Sequence, residues 1–345
     1  MRARLEDVAK LANVHPATVS RALNERTRGQ VSKDTLERVM RAADQLNYRP
    51  NTMARSLASA RSSSIGVVIA DLAVPLFAHM IRGIDDAIGD AGYTALIVNT
   101  DNDTERERRH LRSLEERRVD GLIVTTSTLD DPDESRRFSR VAPVVNLLRA
   151  SGDPQVGQVI SNDALGMTQI VEHLLGLGHR RIGLVAGPQN ISTSLARLRG
   201  YRNAMLENGL DIDAELVETI DHIDTAQGRQ AAARILDRTD ATAIIGFNDL
   251  VTFGVLQELR ARGRVCPRDV SVVGYSDIPA AELVAPALTT VAVDHYTMGV
   301  EAARMMLNML DKPDEYAPRS VELPVHLVVR ETTAAAAAVE SLSVS

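Results

Sequence analysis

The chain has 345 residues, 44% apolar and 25% charged, with aromatics at only 3% and no tryptophan; that length suits two or three domains with aliphatic cores. No run of 18 apolar residues occurs and the charged, amphipathic start has no signal-peptide core, which excludes a membrane-spanning helix and argues against export. The net charge of −7 is uneven: residues 1–61 carry 12 Lys and Arg against 6 Asp and Glu, a net +6, and the remainder carries 27 against 40, a net −13, the footprint of a polyanion-binding head on a body that avoids the polyanion.

At the N-terminus, Leu5, Val8, Ala9 and Ala12 recur at helical spacing, so one stripe of a first helix faces inward. Asn13-Val14 breaks the pattern. Pro16 then opens a second helix, since proline costs no hydrogen bond at the first helical position. Val19, Ala22 and Leu23 bury that helix against the first and leave Ala17, Thr18, Ser20 and Arg21 outward. A helix, a tight turn and a second helix with a small, hydrogen-bonding face have the geometry of a helix-turn-helix that enters the major groove; the bland alternative is an ordinary helical hairpin. A third helix follows, with Ser32 as N-cap, Asp34 in its first turn, and Leu36, Val39, Ala43 and Leu46 closing a three-helix core that ends at Tyr48. Residues 49–62 read as a linker or a marginal helix, with Pro50 and Asn51 as start signal and Met53, Ala54 and Leu57 as one stripe.

The runs Val8-Ala-Lys-Leu-Ala-Asn-Val14 and Ala17-Thr-Val-Ser-Arg-Ala-Leu-Asn24 resemble the lactose/galactose repressor (LacI/GalR) family of bacterial transcription regulators. The resemblance implies that Pro16, Ala17 and Arg21 occupy base-reading positions. Ala17 can touch a thymine methyl and Arg21 can read guanine bidentately. Thr18, Ser20 and Asn24 suit phosphates, and His15 caps the helix or touches a phosphate. It further implies that residues 49–62 form a hinge helix that folds on DNA, with Asn51 and Ala54 at the interface. Leu57 would be an apolar wedge in the minor groove, or else pack in a dimer.

From residue 63 the pattern alternates between strand and helix. Ile65-Gly-Val-Val-Ile69 is continuously apolar, as a buried parallel strand requires. Helices are expected over residues 77–91 and 105–117, and strands over 93–98, 121–125 and 144–148. A second series starts near residue 156. Its helices fall over 164–177, 195–208, 226–237 and 250–262, and its strands over 182–186, 216–220, 243–247 and 270–275. The chain returns through a strand over 288–293, a helix over 298–310 and a strand over 321–329. The fold class is therefore an α/β body of two doubly wound subdomains behind an all-α head. The expected division is 1–48 for the head, 49–62 for the hinge and 63–331 for the effector-binding and dimerisation body. The body divides into 63–161 plus 293–320 and 162–292 plus 321–331. The Ala- and Ser-rich residues 332–345 read as a disordered tail.

Leu174-Leu-Gly-Leu-Gly-His179, Arg197-Leu-Arg-Gly-Tyr201, Phe247-Asn-Asp249, Val273-Gly-Tyr-Ser-Asp277 and Leu288-Thr-Thr-Val291, in that order, extend the resemblance to the type I periplasmic-binding-protein fold that the family uses as sensor. It implies an effector in the cleft between subdomains, met by Arg197, Asn248 and Asp277, unless Arg197 and Asp277 only pair with each other or with backbone. Asp71, in the loop Asp71-Leu-Ala-Val-Pro-Leu-Phe77, also lies at a strand end; Phe77 lines the cleft or merely starts a helix. Three positions depart from sugar-binding members. Leu148 stands where an aspartate is common, Ile223 where a ring stacks (His222 if the register slips by one), and Val293 where a polar residue follows the Leu-Thr-Thr motif. These walls favour a small, partly apolar or acidic ligand or a sugar derivative over a plain hexose or disaccharide.

The expected partners are double-stranded DNA with a palindromic operator, a small-molecule effector (a sugar derivative or other small metabolite), and a second copy in a homodimer or a tetramer built from it. No cofactor, metal or membrane is called for, and the single cysteine, Cys266, reads as a small buried side chain in a cytoplasmic protein. The competing classes are a solute-binding sensor, which shares the body but would lack the head, and a sugar-modifying enzyme. The chain has no P-loop, metal-ligand spacing or nucleophile elbow, and His173 and His179 flank a helix end without a carboxylate cluster.

Overall fold

The computed structural model describes residues 3–23, 27–48, 61–130, 139–140, 142–313 and 317–336. The chain divides into two compact units, 1–62 and 63–345. In the first, α1 (Leu5–Ala12), α2 (Pro16–Leu23) and α3 (Lys33–Gln45) enclose Val8, Ala12, Val19, Ala22, Val39 and Ala43. Asn13 ends α1 in the left-handed region at φ 51°, a conformation asparagine tolerates better than most residues. The His15 carbonyl accepts the first N–H bonds of α2, and Ser32 Oγ accepts the Thr35 N–H to start α3. The sequence spacing thus yields the expected three-helix head.

The second unit holds two six-stranded sheets. Its elements in chain order are β1 (Ser64–Ile69), α4 (Pro75–Asp90), β2 (Thr94–Asn99), α5 (Thr104–Glu116), β3 (Gly121–Val124), β4 (Val144–Leu147), β5 (Gly157–Ser161), α6 (Asp163–Gly176), β6 (Ile182–Ala186) and α7 (Ser192–Glu207). There follow β7 (Val217–Thr219), α8 (Thr225–Arg238), β8 (Ala243–Ile245), α9 (Asp249–Ala261), β9 (Ser271–Ser276), β10 (Thr289–Val293), α10 (His295–Asp311), β11 (Ser320–Leu323) and β12 (Val325–Val328). The first sheet runs β11-β5-β4-β3-β1-β2 and is parallel throughout. The second runs β12-β10-β9-β8-β6-β7, parallel except for β12.

Both faces of each sheet are covered, which is why the strands read as unbroken apolar runs. In the first, Val68, Leu122 and Val144 pack under Leu111 and Leu114 of α5, and Val67, Ile123 and Val145 face Met80, Met305 and Met306 of α4 and α10. In the second, Ile244 and Val272 lie under α8 and α9, and Leu184, Ile245 and Tyr275 under α6 and α7. The chain passes between the sheets after β5, after β10 and between β11 and β12. No helix among the described residues is long and apolar enough to cross a membrane.

Two expectations need correction. The single strand over 321–329 is two strands in different sheets: β11 pairs with β5, and β12 with β10. Pro324 separates them, because proline cannot donate to a ladder; Ser320–Leu323 therefore belongs with the first subdomain. The tail is also ordered where it begins. Thr332 is fully buried, its Oγ1 accepts the Thr289 N–H and its carbonyl accepts the Val272 N–H, both at 2.8 Å. Thr333 Oγ1 meets His173 Nε2, the Ala334 carbonyl meets His179 Nε2, and the Ala336 N–H reaches the Leu177 carbonyl. Polar bonds hold this segment, and a reading by apolar pattern does not see them. The rest of that tail, and most of the hinge expectation, lie outside the described residues.

Two helix pairs are pressed together through glycines. A β-carbon on Gly83 of α4 would collide with the Tyr296 carbonyl of α10, and one on Gly299 with the Met80 carbonyl. Gly228 of α8 and Gly254 of α9 meet the facing backbone in the same way. Gly83→Ala is expected to destabilise the protein by about 1–3 kcal/mol through overpacking. Gly89→Ala, on the same helix with nothing within 4 Å, should be neutral or stabilising by up to about 1 kcal/mol. Urea titration of both variants compares them directly.

Candidate functional site

The first candidate surface is the outer face of α2. Ala17, Ser20 and Arg21 are exposed, Pro16 and Thr18 are half-buried, and Val19 and Ala22 point into the core. His15 is exposed and caps the helix, its Nδ1 accepting the Ala17 N–H at 3.2 Å. The Arg21 guanidinium, a planar fork of donors, makes no hydrogen bond or ion pair with the described residues. Asn24, Asn51, Ala54 and Leu57 lie outside the described residues.

The second candidate is a cavity between the C-terminal ends of the two sheets. Such a position is where parallel α/β sheets bind ligands. Asp71, Phe77, Leu148, Arg197, Ile223 and Asn248 line it, together with Ala70, Val74, Leu76, Asn102, Arg149, Thr193, Phe247 and Ser276. Six of the eight body residues singled out from sequence are thus brought together.

Arg197 projects from α7. Its Nε donates to Asp163 Oδ1 at 2.9 Å and its Nη1 to the Phe247 carbonyl at 2.7 Å. The guanidinium carbon lies 3.7 Å from the Tyr275 ring centroid and 4.8 Å from that of Phe247, so the cation is held between two π-faces. Its Nη2 has no hydrogen bond to the described residues. His295, at the start of α10, is held neutral beside this cation: burial foremost, then the charges of Arg197 and His79, pull its pKa down to about 3.

Asn248 caps α9, its Oδ1 accepting the Val251 N–H at 3.0 Å. That bond fixes the rotamer and leaves Nδ2 as an uncommitted donor. At the end of β4 the chain turns through Leu148, whose φ of 71° is in the left-handed region. Its N–H is still tied to the Val159 carbonyl.

Two expected residues are elsewhere. Asp277 does not line the cavity; at φ 49° it leaves the strand end and pairs with Arg330 Nη1 at 2.8 Å. The preceding residue, Ser276, lines the cavity instead. Ser276 and Asp277 both have positive φ, so backbone angles and not strand alternation decide which of the two faces the cleft. The pairing left open for Arg197 and Asp277 is also resolved, each having a different partner. Val293 is buried in the core between the helices, not at the cavity wall. Arg149 was missed. A lone arginine closing the apolar run from Val144 was its sequence signal.

Cys266 is half-buried, its thiol raised to about 12 mainly by burial, which leaves it protonated and inert as a nucleophile. His179 hydrogen-bonds Thr242 and Ser271 besides the Ala334 carbonyl and serves the fold.

Residues 4–51 match the family described as "Bacterial regulatory proteins, lacI family", and residues 62–331 match "Periplasmic binding proteins and sugar binding domain of LacI family". The ribose operon repressor of Halalkalibacterium halodurans is 35% identical over 334 residues, covering 95% of this chain and 96% of its own. The HTH-type transcriptional regulator CelR of Thermobifida fusca is 35% identical over 339 residues, covering 96% and 98%. Among solved structures, a complex of the regulator CelR with cellobiose superposes with a TM-score of 0.74 at 33% identity, covering 96% of this chain and 100% of that one. The lac repressor dimer bound to operator and the anti-inducer ONPF superposes with a TM-score of 0.83 at 27% identity, covering 97% and 100%.

Behind the cavity wall, Asp249 accepts the Thr290 hydroxyl at 2.6 Å and the Ile278 N–H at 2.8 Å. Burial raises its pKa to about 7, against the opposing effect of these bonds. An acid whose pKa is raised in the folded state contributes stability below its unfolded pKa of about 4 and loses it as pH rises through the folded value. Wild-type stability should therefore carry a falling component between about pH 4 and 7. Asp249→Asn, which cannot ionise, should remove it. Equal slopes of unfolding free energy against pH for the two proteins would show that Asp249 does not titrate this way.

Proposed function

The chain belongs to the LacI family of bacterial regulatory proteins, and we propose that it is an effector-controlled repressor that binds a palindromic operator as a homodimer. The observation that carries this reading is one chain holding both a helix-turn-helix with an exposed arginine on its second helix and a two-sheet body with a polar-centred cavity. A two-fold protein requires a two-fold site, with each head reading one half. A small metabolite in the cavity would favour one arrangement of the two subdomains and thereby alter affinity for DNA. As a DNA-binding regulator it acts where the chromosome lies, in the cytoplasm.

The family's regulators are not enzymes, and a solute-binding protein has no use for the head. The effector is a small metabolite or sugar derivative. Cellobiose is bound by the CelR structure above. Here Leu148 and Ile223 wall the cavity, and each hydroxyl buried unpaired against such a wall costs about 1–3 kcal/mol. That argues against a plain disaccharide for this chain.

Selection from random duplexes is expected to enrich a two-fold motif, bound about a thousandfold or more tighter than other sequences. Affinity should fall steeply with salt as counterions are released. Selection that returns no symmetric motif would refute the operator reading. Arg21→Ala is expected to cost about 1–3 kcal/mol and to relax one base pair per half-site. Equal weakening on every sequence would make Arg21 a phosphate contact.

A further inference from the structure

Arg149 is 6% exposed and lines the cavity. Its Nη1 and Nη2 both reach only Asn102 Oδ1, at 3.3 Å. No carboxylate among the described residues comes within ion-pair distance of it. Burial pulls its pKa down to about 10, with Glu107 pulling the other way, so it keeps its charge at neutral pH. A buried cation with a neutral hydrogen-bond partner is costly, because Glu107 offsets its desolvation only in part.

The other charges of the cavity are already engaged. Arg197 is paired with Asp163. Asp71 is the one carboxylate among the lining residues. Its Oδ1 accepts the Ala73 N–H at 2.9 Å, and it forms no ion pair with either arginine. The turn through Leu148 presents Arg149 to this space, while the side chain standing beside it is an aliphatic one.

We infer that the effector carries a carboxylate, received by the Arg149 guanidinium, which Asn102 steadies through its Oδ1. This rests on the reading of the cavity as the effector site. A guanidinium offers a planar pair of N–H donors, and a carboxylate offers two oxygens in matching geometry. The charge count selects a carboxylate over a phosphate ester. Arg149 is the one cation among the lining residues without an ion-paired carboxylate, and a phosphate brings a charge of about −1.5 to −2 toward a wall that also holds Asp71. Asn248 Nδ2 and the hydroxyls of Thr193 and Ser276 line the same space and suit hydroxyl groups on the remainder. Leu148, Ile223 and Val74 limit how many such groups can be paired. The ligand class is a small hydroxylated carboxylic acid.

The test uses the full chain. Its melting temperature is measured in sodium chloride and in sodium acetate at equal ionic strength, beside Arg149→Met and Arg149→Gln. Acetate is expected to raise the wild-type value above the chloride control, because it binds the folded state, and to leave both variants unmoved. In chloride the variants should melt cooperatively at or above wild type, since each removes a buried cation that has no ion-pair partner. An equal acetate effect in all three, or none in the wild type, overturns the anion subsite.

Calorimetry then compares gluconate and galacturonate with glucose and galactose. In the wild type at least one acid should bind about tenfold or more tighter than its neutral partner. The variants should lose that difference. A neutral sugar that binds as tightly as its acid, and loses binding in Asn248→Ala, overturns the carboxylate but keeps the cavity as effector site. Acid binding that survives both Arg149→Met and Asn248→Ala overturns the cavity reading as well. A sugar phosphate that binds more tightly than the matching acid overturns the charge count.

Discussion

The Asp163–Arg197 ion pair ties together the parts that make the cavity. Asp163 opens α6, just after the first passage from one sheet to the other, and Arg197 sits on α7. Through the Phe247 carbonyl and the Tyr275 ring, the same guanidinium reaches the ends of β8 and β9. Both partners are buried, so either one left alone would cost about 3–5 kcal/mol. The pair links the strand ends of the second sheet to the passage between sheets. Asn248, Ser276 and Thr193 are placed by the same elements.

Local rules made most of the architecture legible. Continuous Val and Ile runs meant strands buried on both faces. Asp103, Asn162, Asp224 and Asn248 cap the helices that follow them, so helix starts fell within a few residues of where periodicity put them. The head was readable because its three helices pack on one another by helical spacing alone. Pro324 was the visible sign that the last strand had to break, but only the pairing partners show that its two halves enter different sheets.

The cavity was less legible, for a definite reason. Asp71 is placed by its position at a strand end in a parallel sheet, and Leu148, Ile223 and Asn248 by the family resemblance. Asp277 and Ser276 differ by one position, and the choice between them rests on backbone angles that no periodicity reveals. Arg149 follows a residue in the left-handed region, where side-chain direction departs from strand alternation. The bonds of Thr333 and Ala334 depend on His173, His179 and Ser271, more than 60 residues away in sequence. Contacts of that range are invisible to any reading of neighbours.

The glycine-pressed helix pairs bear on how such a protein diversifies. At Gly83, Gly299, Gly228 and Gly254 the facing backbone leaves no room for a side chain, so drift there is purged by its effect on folding. The cavity wall is different. Leu148, Ile223 and Thr193 line the cavity and lie on neither seam, so their exchange leaves both seams intact. Selection can therefore rewrite ligand preference by a few substitutions while the scaffold stays fixed. Metabolic novelty and architectural conservation are thus assigned to separate sets of positions in one body.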